Sequence, residues 1–447
     1  MPTPEELLAK AKKPAADALR LHPLYHGKVQ MMLKCPVRDR ADFAIWYTPG
    51  VAAPCRAIVE DPDLVYAHTN RGNTVAIVSD GSRVLGLGNI GPEAGLPVME
   101  GKALLFKYLG GVDAVPLCLR TERPEDIVQA VRLIEPSFGG INLEDIAQPQ
   151  CFRVLDSLRT TLSIPVWHDD QQGTATVLLA ALTNALEVVG KTLDGARLAM
   201  VGMGAANVAV YRLLVACCID AGAVVACDTG GILHRGRGDI EAQQDLYPDK
   251  WRVCCESNAE HRTGGIAEAL RGADACIAFS SPGPGVILPA WLRAMARDPI
   301  VFACANPTPE VWPWEAAAAG ARIVATGRSD FPNQVNNSLS FPGLFRGTLD
   351  VRARAISDGM ALGAARELAA CAAERGLSET LILPGMEEPE VAARVAAATG
   401  LAAQEEGLAA LSASRAALYE GALARIATAR RATEVLMGAG VIAVPED

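Results

Sequence analysis

Four carboxylates stand in two short clusters between Ile141 and Ala175. Ile141-Asn142-Leu143-Glu144-Asp145-Ile146 places a pair of acids at the end of an apolar run. A second apolar run, Ile164-Pro165-Val166-Trp167, ends in His168-Asp169-Asp170 and opens into Gln171-Gln172-Gly173-Thr174-Ala175. Two strands ending in acids, the second feeding a helix, can converge three oxygen ligands on one hard cation. A cation held in that way can act as a Lewis acid on a small, oxygen-rich substrate. Spacing alone also admits a plainer reading, in which both pairs are helix caps and turn residues, positions that Asp and Asn favour.

Upstream stand two further residues with usable chemistry. Tyr47 lies on a Pro-Gly turn, Trp46-Tyr47-Thr48-Pro49-Gly50-Val51-Ala52, and Lys102 follows Met99-Glu100-Gly101 where the sequence places the opening of a helix. The Gly101-Lys102 pair is not a P-loop, because Gly95 precedes Gly101 by one residue too many and Ala103 replaces the metal-binding Ser or Thr. A lysine in a first helical turn opposes the helix dipole. On a surface that costs little; in a cleft it lowers the pKa and makes the amine a base.

The elements that must position these groups alternate strand and helix. Thr74 to Ser79 reads as a strand ending in Asp80-Gly81, the segment Arg83 to Gly91 is glycine-rich, and Asp113 to Cys118 is a further strand. From Lys191 the pattern becomes a dinucleotide fold. A strand, Ala196 to Val201, runs into the turn Gly202-Met203-Gly204-Ala205-Ala206-Asn207, followed by a helix, a second strand and the acid Asp228. Asn207 stands where the fingerprint has its third glycine, and the glycines let backbone approach a pyrophosphate at a helix N-terminus. Three more strands end at Ser280-Ser281, Asn306-Pro307 and Gly327-Arg328, the edge where such sheets bind ligands. The reading is an α/β chain with an N-terminal substrate and metal domain (1–165), a Rossmann-type dinucleotide-binding domain (166–360) and a helical C-terminal segment (361–447) packing on the core.

Composition is that of an ordinary globular protein. The 447 residues allow two or three domains, and a formal charge of −10 with no basic cluster argues against nucleic acid as a partner. The charged start, Met1 to Leu21, lacks a signal peptide's apolar core, and Arg212 and Asp220 interrupt the longest apolar stretch. A cytoplasmic protein without a membrane partner follows. The twelve cysteines include no C-x-x-C and read as reduced, mostly buried thiols.

Taken together, Tyr47-Thr48-Pro49-Gly50-Val51-Ala52, Val84-Leu85-Gly86-Leu87-Gly88, Glu100-Gly101-Lys102, Asn142 to Asp145, His168 to Ala175, Ala305-Asn306-Pro307 and Thr326 to Asn337 resemble the malic enzyme family in its short prokaryotic form. The resemblance implies that Glu144, Asp145 and Asp170 ligate Mg²⁺ or Mn²⁺, with Asp169 as a neighbouring acid. It implies that Lys102 is the general base and Tyr47 the general acid, and that Asn306 and Asn337 contact substrate or nicotinamide. Arg83 falls where some members hold a substrate carboxylate. The implied reaction is oxidative decarboxylation of malate to pyruvate, in a homodimer. Asp228 followed by Thr229-Gly230-Gly231, with no lysine at 230, favours NAD over NADP, although Arg235 and Arg237 downstream can reverse that. Malolactic conversion with retained cofactor shares the same motifs. A catalytically silent dinucleotide sensor would need one of these groups to be missing.

Overall fold

A computed structural model of the chain describes residues 4–445. Two sheets carry it, the first wholly parallel and the second parallel but for one edge strand. The first is built from β1 (Thr74–Ser79), β2 (Asp113–Cys118), β3 (Gly140–Leu143) and β4 (Val166–His168), in the order β2-β1-β3-β4. Its central strand, Thr-Val-Ala-Ile-Val-Ser, is almost wholly buried, as expected of a parallel strand covered on both faces. The second sheet comprises β5 (Leu198–Val201), β6 (Val224–Asp228), β7 (Gly231–Ile232), β8 (Ala275–Ala278), β9 (Ile300–Ala303) and β10 (Ile323–Thr326), in the order β10-β9-β8-β5-β6-β7. All its pairings are parallel except β6 with β7. The α/β class with a Rossmann-type second sheet is as the sequence indicated. The two-residue edge strand β7 is too short to leave a pattern.

The chain passes from one sheet to the other immediately after β4. Asp169–Gly173 forms a single π-helical turn, which runs directly into the helix Thr174–Val188. That helix is buried along nearly its whole length, so the acids of the π-turn sit on a rigid core element rather than on a loop.

One expectation is corrected. The helix carrying Lys102 opens not at Met99 but at Pro92, with Pro92 in the first turn and Pro97 inside, and it ends at Gly111 in a left-handed cap. Lys102 is therefore the eleventh of nineteen residues, beyond the reach of the helix N-terminal field. Its neighbours one turn away, Met99 and Phe106, are fully buried, so helical periodicity aims Lys102 inward.

The C-terminal region is helical, with Asp358–Ala373, Pro389–Glu405 and Arg415–Gly438 packed on Phe341–Asp350 and on the lysine helix. Gly347 permits this closeness, because a Cβ there would meet the Ala396 backbone. A single apolar core joins residues of both sheets to these helices. Among the described residues no helix is long and apolar enough to cross a membrane.

Candidate active site

Because β3 and β4 are adjacent and parallel, their carboxyl ends deliver Glu144-Asp145 and Asp169-Asp170 to one place. The Asp145 N–H donates to Asp170 Oδ2 at 2.8 Å and ties the two clusters together. Asp145 adopts a positive φ of 54°, a conformation open to Asp at modest cost. Lys102 reaches in from the neighbouring helix. Its ammonium lies 2.6 Å from Asp169 Oδ2 and 2.9 Å from Glu144 Oε1, above the Phe341 ring at 4.4 Å, and the residue is only 7% exposed. Asn142 donates to Glu144 at 2.9 Å and Trp167 to Asp169 at 3.1 Å, which fixes both carboxylates from behind. Gly173 is required in the π-turn, since a Cβ there would overlap the Asp169 carboxylate and press on Asn337.

Electrostatics here run against the expected basic lysine. Burial alone would lower the Lys102 pKa, but the carboxylates of Asp169, Glu144 and Asp170 outweigh it and hold the ammonium well above its ordinary range. Burial in turn raises Glu144 and Asp169, with Lys102 acting in the opposite direction. Burial and the Asp170 charge push Asp145 up to about 8. Four carboxylates face one ammonium, a formal excess of three negative charges. Asp145 Oδ2 is buried without a hydrogen-bond partner. Among the described residues no three acidic, His or Cys groups converge into a ready coordination shell. The donor chemistry nevertheless suits a hard dication, because the ligands are all oxygen, under-neutralised, and one atom is unsatisfied. His168 is fully buried, its Nδ1 lies 3.7 Å from Asp170 Oδ2 without a hydrogen bond, and burial outweighs that carboxylate to lower its pKa to about 4, so it is neutral.

The remaining candidate residues divide. The Arg83 N–H donates to the Asp145 carbonyl at 3.0 Å, while its side chain is exposed. Asn306 abuts Gly327, and its carbonyl faces Gly86, where any side chain would collide with Asn306, Pro282 and Pro307. The glycine segment of the first sheet thus closes directly on loops of the second. Tyr47 is not brought to the carboxylates. It follows the helix Arg40–Trp46, is 72% exposed, and its hydroxyl has no hydrogen-bond partner among the described residues.

In the dinucleotide turn, Gly202 has φ +84° and lies against Phe279 and Ser280, and Gly204 precedes the helix Ala205–Ala216, whose first turn contains Ala205 and Ala206. Met203 is buried. Asn207 turns inward: its amide donates to the carbonyls of Val201 and Gly202 at 3.1 and 2.6 Å, so its side chain braces the turn rather than facing a ligand. The Asp228 carboxylate accepts from Gly230 N at 2.9 Å and is paired with Arg237 at 3.1 Å and Lys250 at 3.3 Å. Arg237 also pairs with Asp239 at 2.7 Å, and Arg235 instead donates to the Cys255 carbonyl. Sequence reading passed over Lys250, Phe341, Asn142 and Trp167. Only the last two carried a signal, since alternation along a strand places them two residues before an acid.

Comparison with known proteins identifies the two domains. Residues 26–159 match the family model for the malic enzyme N-terminal domain and residues 171–404 that for the malic enzyme NAD-binding domain. The chain is 46% identical over 393 residues to the bifunctional malic/malolactic enzyme of Bacillus subtilis, covering 88% of this chain and 94% of the relative. It is 47% identical over 384 residues to the NAD-dependent malic enzyme of Geobacillus stearothermophilus, covering 86% and 78%. The crystal structure of Entamoeba histolytica malic enzyme superposes with a TM-score of 0.95 at 44% identity, covering 99% of this chain and 93% of that one.

Proposed function

The chain belongs to the malic enzyme family, and on that premise we propose that it oxidises (S)-malate and decarboxylates it to pyruvate and CO₂, with reduction of NAD(P) and dependence on Mg²⁺ or Mn²⁺. The observation that carries the reading is a buried ammonium set between two of four converging carboxylates, two of them on a π-turn that packs against the helix following the dinucleotide turn. Glu144, Asp145 and Asp170 would hold the cation, with Asp169 beside them. When bound, the cation would supply Lewis-acid polarisation of the substrate oxygens and the nicotinamide an acceptor for the C2 hydride.

The chain's own residues move the protons. With Glu144 and Asp170 engaged by a dication, Asp169 would be the carboxylate still holding the Lys102 proton, and burial together with the dication's own charge would favour the neutral amine. Lys102 Nζ then takes the C2 hydroxyl proton, and Tyr47 Oη gives one to C3 after CO₂ departs. One proton is taken and one is given, so none is released overall. Arg83 offers charge to a substrate carboxylate, and Asn306 and Asn337 orient the carboxamide and substrate.

Tyr47 can play its part only if something covers it. Met31, Leu33, Phe43, Tyr47 and Val59 make one band of the sequence apolar and exposed, from 59% to 95%. Bands of this kind mark interfaces, and a second copy of the chain would bury this one in a symmetric dimer. A partner's tyrosine would then complete each site. Asp228 as an acceptor for the ribose 2′-OH favours NAD, and its two bound cations lower the cost of a 2′-phosphate.

Initial rates with malate against NAD and NADP, with and without Mn²⁺, test the proposal. Metal-dependent NAD(P)H formation with pyruvate supports it; lactate without net NADH would transfer the chain to the malolactic reaction named for the Bacillus relative.

A further inference from the structure

Glu310 has no place in the reaction derived above, yet it is a fully buried carboxylate on the ligand-binding edge of the second sheet. It lies in the loop after β9 and reaches back between the ends of two neighbouring strands. Its Oε1 accepts from the Ser280 N–H at 2.8 Å and from the Ser280 hydroxyl at 3.0 Å, and its Oε2 accepts from the Ala305 N–H at 3.0 Å. Its backbone carbonyl also accepts from Gly285 and Ile287. One side chain therefore joins the loop after β8 to the loop after β9.

Both tethered residues touch groups that the proposed function uses. Ser280 is packed on Gly202 so closely that a Cβ on that glycine would lie within 3.0 Å of the serine's Cα and Cβ. Ala305 immediately precedes Asn306, whose far side is held by Gly327 and by Arg328 donating to the Pro307 carbonyl at 2.6 Å. The first-sheet segment at Gly86 closes on Asn306, Pro282 and Pro307.

We propose that Glu310 is a positioning residue for hydride transfer, setting the distance between the dinucleotide turn at Gly202 and the substrate-facing loop at Asn306. The assignment rests on the reading that nucleotide binds at the turn and that Asn306 faces the nicotinamide or substrate. A carboxylate suits the task because it is acceptor-only on both oxygens and meets three donors. Glutamine keeps the shape but turns an NH₂ toward the Ala305 N–H, so the tie to the Asn306 loop is lost while the tie to Ser280 can remain. Displacements of a fraction of an ångström matter at this edge, since hydride transfer needs a near-attack geometry.

The experiment measures Glu310→Gln and Ser280→Ala in the full-length protein, well below each variant's melting temperature, with Mn²⁺ present. For Glu310→Gln the expected result is a kcat lowered about 10- to 100-fold, a malate KM within about 2-fold, and a larger primary isotope effect with malate deuterated at C2. Ser280→Ala, which removes a single hydroxyl donor, should show the same pattern at a few-fold size, and it serves as the test if the glutamine variant does not fold. Unchanged kcat and isotope effect in the folded variants, whatever their melting temperature, would reduce Glu310 to a loop brace and overturn the proposal. Failure of the underlying function looks different, because the unaltered protein would then make no NAD(P)H from malate.

Discussion

Replacing Lys102 with methionine separates its two roles. Methionine fills a similar volume and rests well on the Phe341 ring. It leaves Asp169 and Glu144, 2.6 and 2.9 Å from the lost ammonium, buried with no cation between them. At an effective dielectric of about 20, each of those contacts is a Coulomb attraction of about 6 kcal/mol. Much of that only offsets the desolvation of the lysine, so removing one partner should cost about 3–5 kcal/mol. The loss should depend on pH. Burial already raises Asp169 and Glu144 above the usual carboxylate range, and without Lys102 they bind protons in the fold that the unfolded chain has released. Stability of the variant then falls as pH rises, because the unfolded state holds fewer protons. Urea unfolding of metal-free protein at about pH 5.5 and about pH 8 should show a small deficit against the unaltered chain at the lower pH and the full deficit at the higher one. With Mn²⁺ and saturating substrate, kcat should fall about 10²- to 10⁴-fold, the usual worth of a general base. Near-normal turnover would remove Lys102 from the chemistry. A deficit equal at both pH values would show that the carboxylates do not answer to it.

Further outcomes follow from the same geometry. Tyr47→Phe should lower kcat about 10²-fold or more without loss of stability, since the residue is exposed and its hydroxyl has no hydrogen-bond partner among the described residues. If the tyrosine acts across a dimer, mixing subunits of Tyr47→Phe and Lys102→Met should restore roughly a quarter of normal activity, and no recovery after verified exchange would place both groups in one chain. Arg237→Ala and Lys250→Ala together free Asp228 from its cations, so NADP use, read as kcat/KM, should fall at least about 10-fold more than NAD use. Equal losses would mean that the 2′ position lies elsewhere. Gly173→Ala should abolish activity and lower the melting temperature, because its methyl group occupies the space of the Asp169 carboxylate.

How much of this was legible in the sequence depends on the range of the forces involved. β1 falls where its β-branched run placed it and β2 where the sequence set a further strand, and the acids after β3 and β4 come together because parallel neighbours share one carboxyl edge. The helix begins seven residues before Met99 because buried residues from Met99 to Phe106 hold it through Gly95 and Pro97, against their poor helix propensity. That displacement matters, since it removed the helix dipole from the Lys102 argument and left the carboxylates in control of its proton. Asn207 looked like a substituted glycine facing the nucleotide; only the fold shows its amide spent on the Val201 and Gly202 carbonyls. Glu310 lies 30 residues from Ser280 and Lys250 22 residues from Asp228, and no local pattern connects either pair.

The central claim is that this carboxylate and lysine site performs a metal-dependent oxidative decarboxylation. Its most direct test is the product balance of purified, metal-stripped protein given malate and NAD(P), before and after Mn²⁺ is restored. The account predicts no turnover without the ion and, with it, one NAD(P)H and one pyruvate for each malate consumed. Turnover that persists in the presence of a strong chelator, or malate consumed with no pyruvate or NAD(P)H formed, would contradict it.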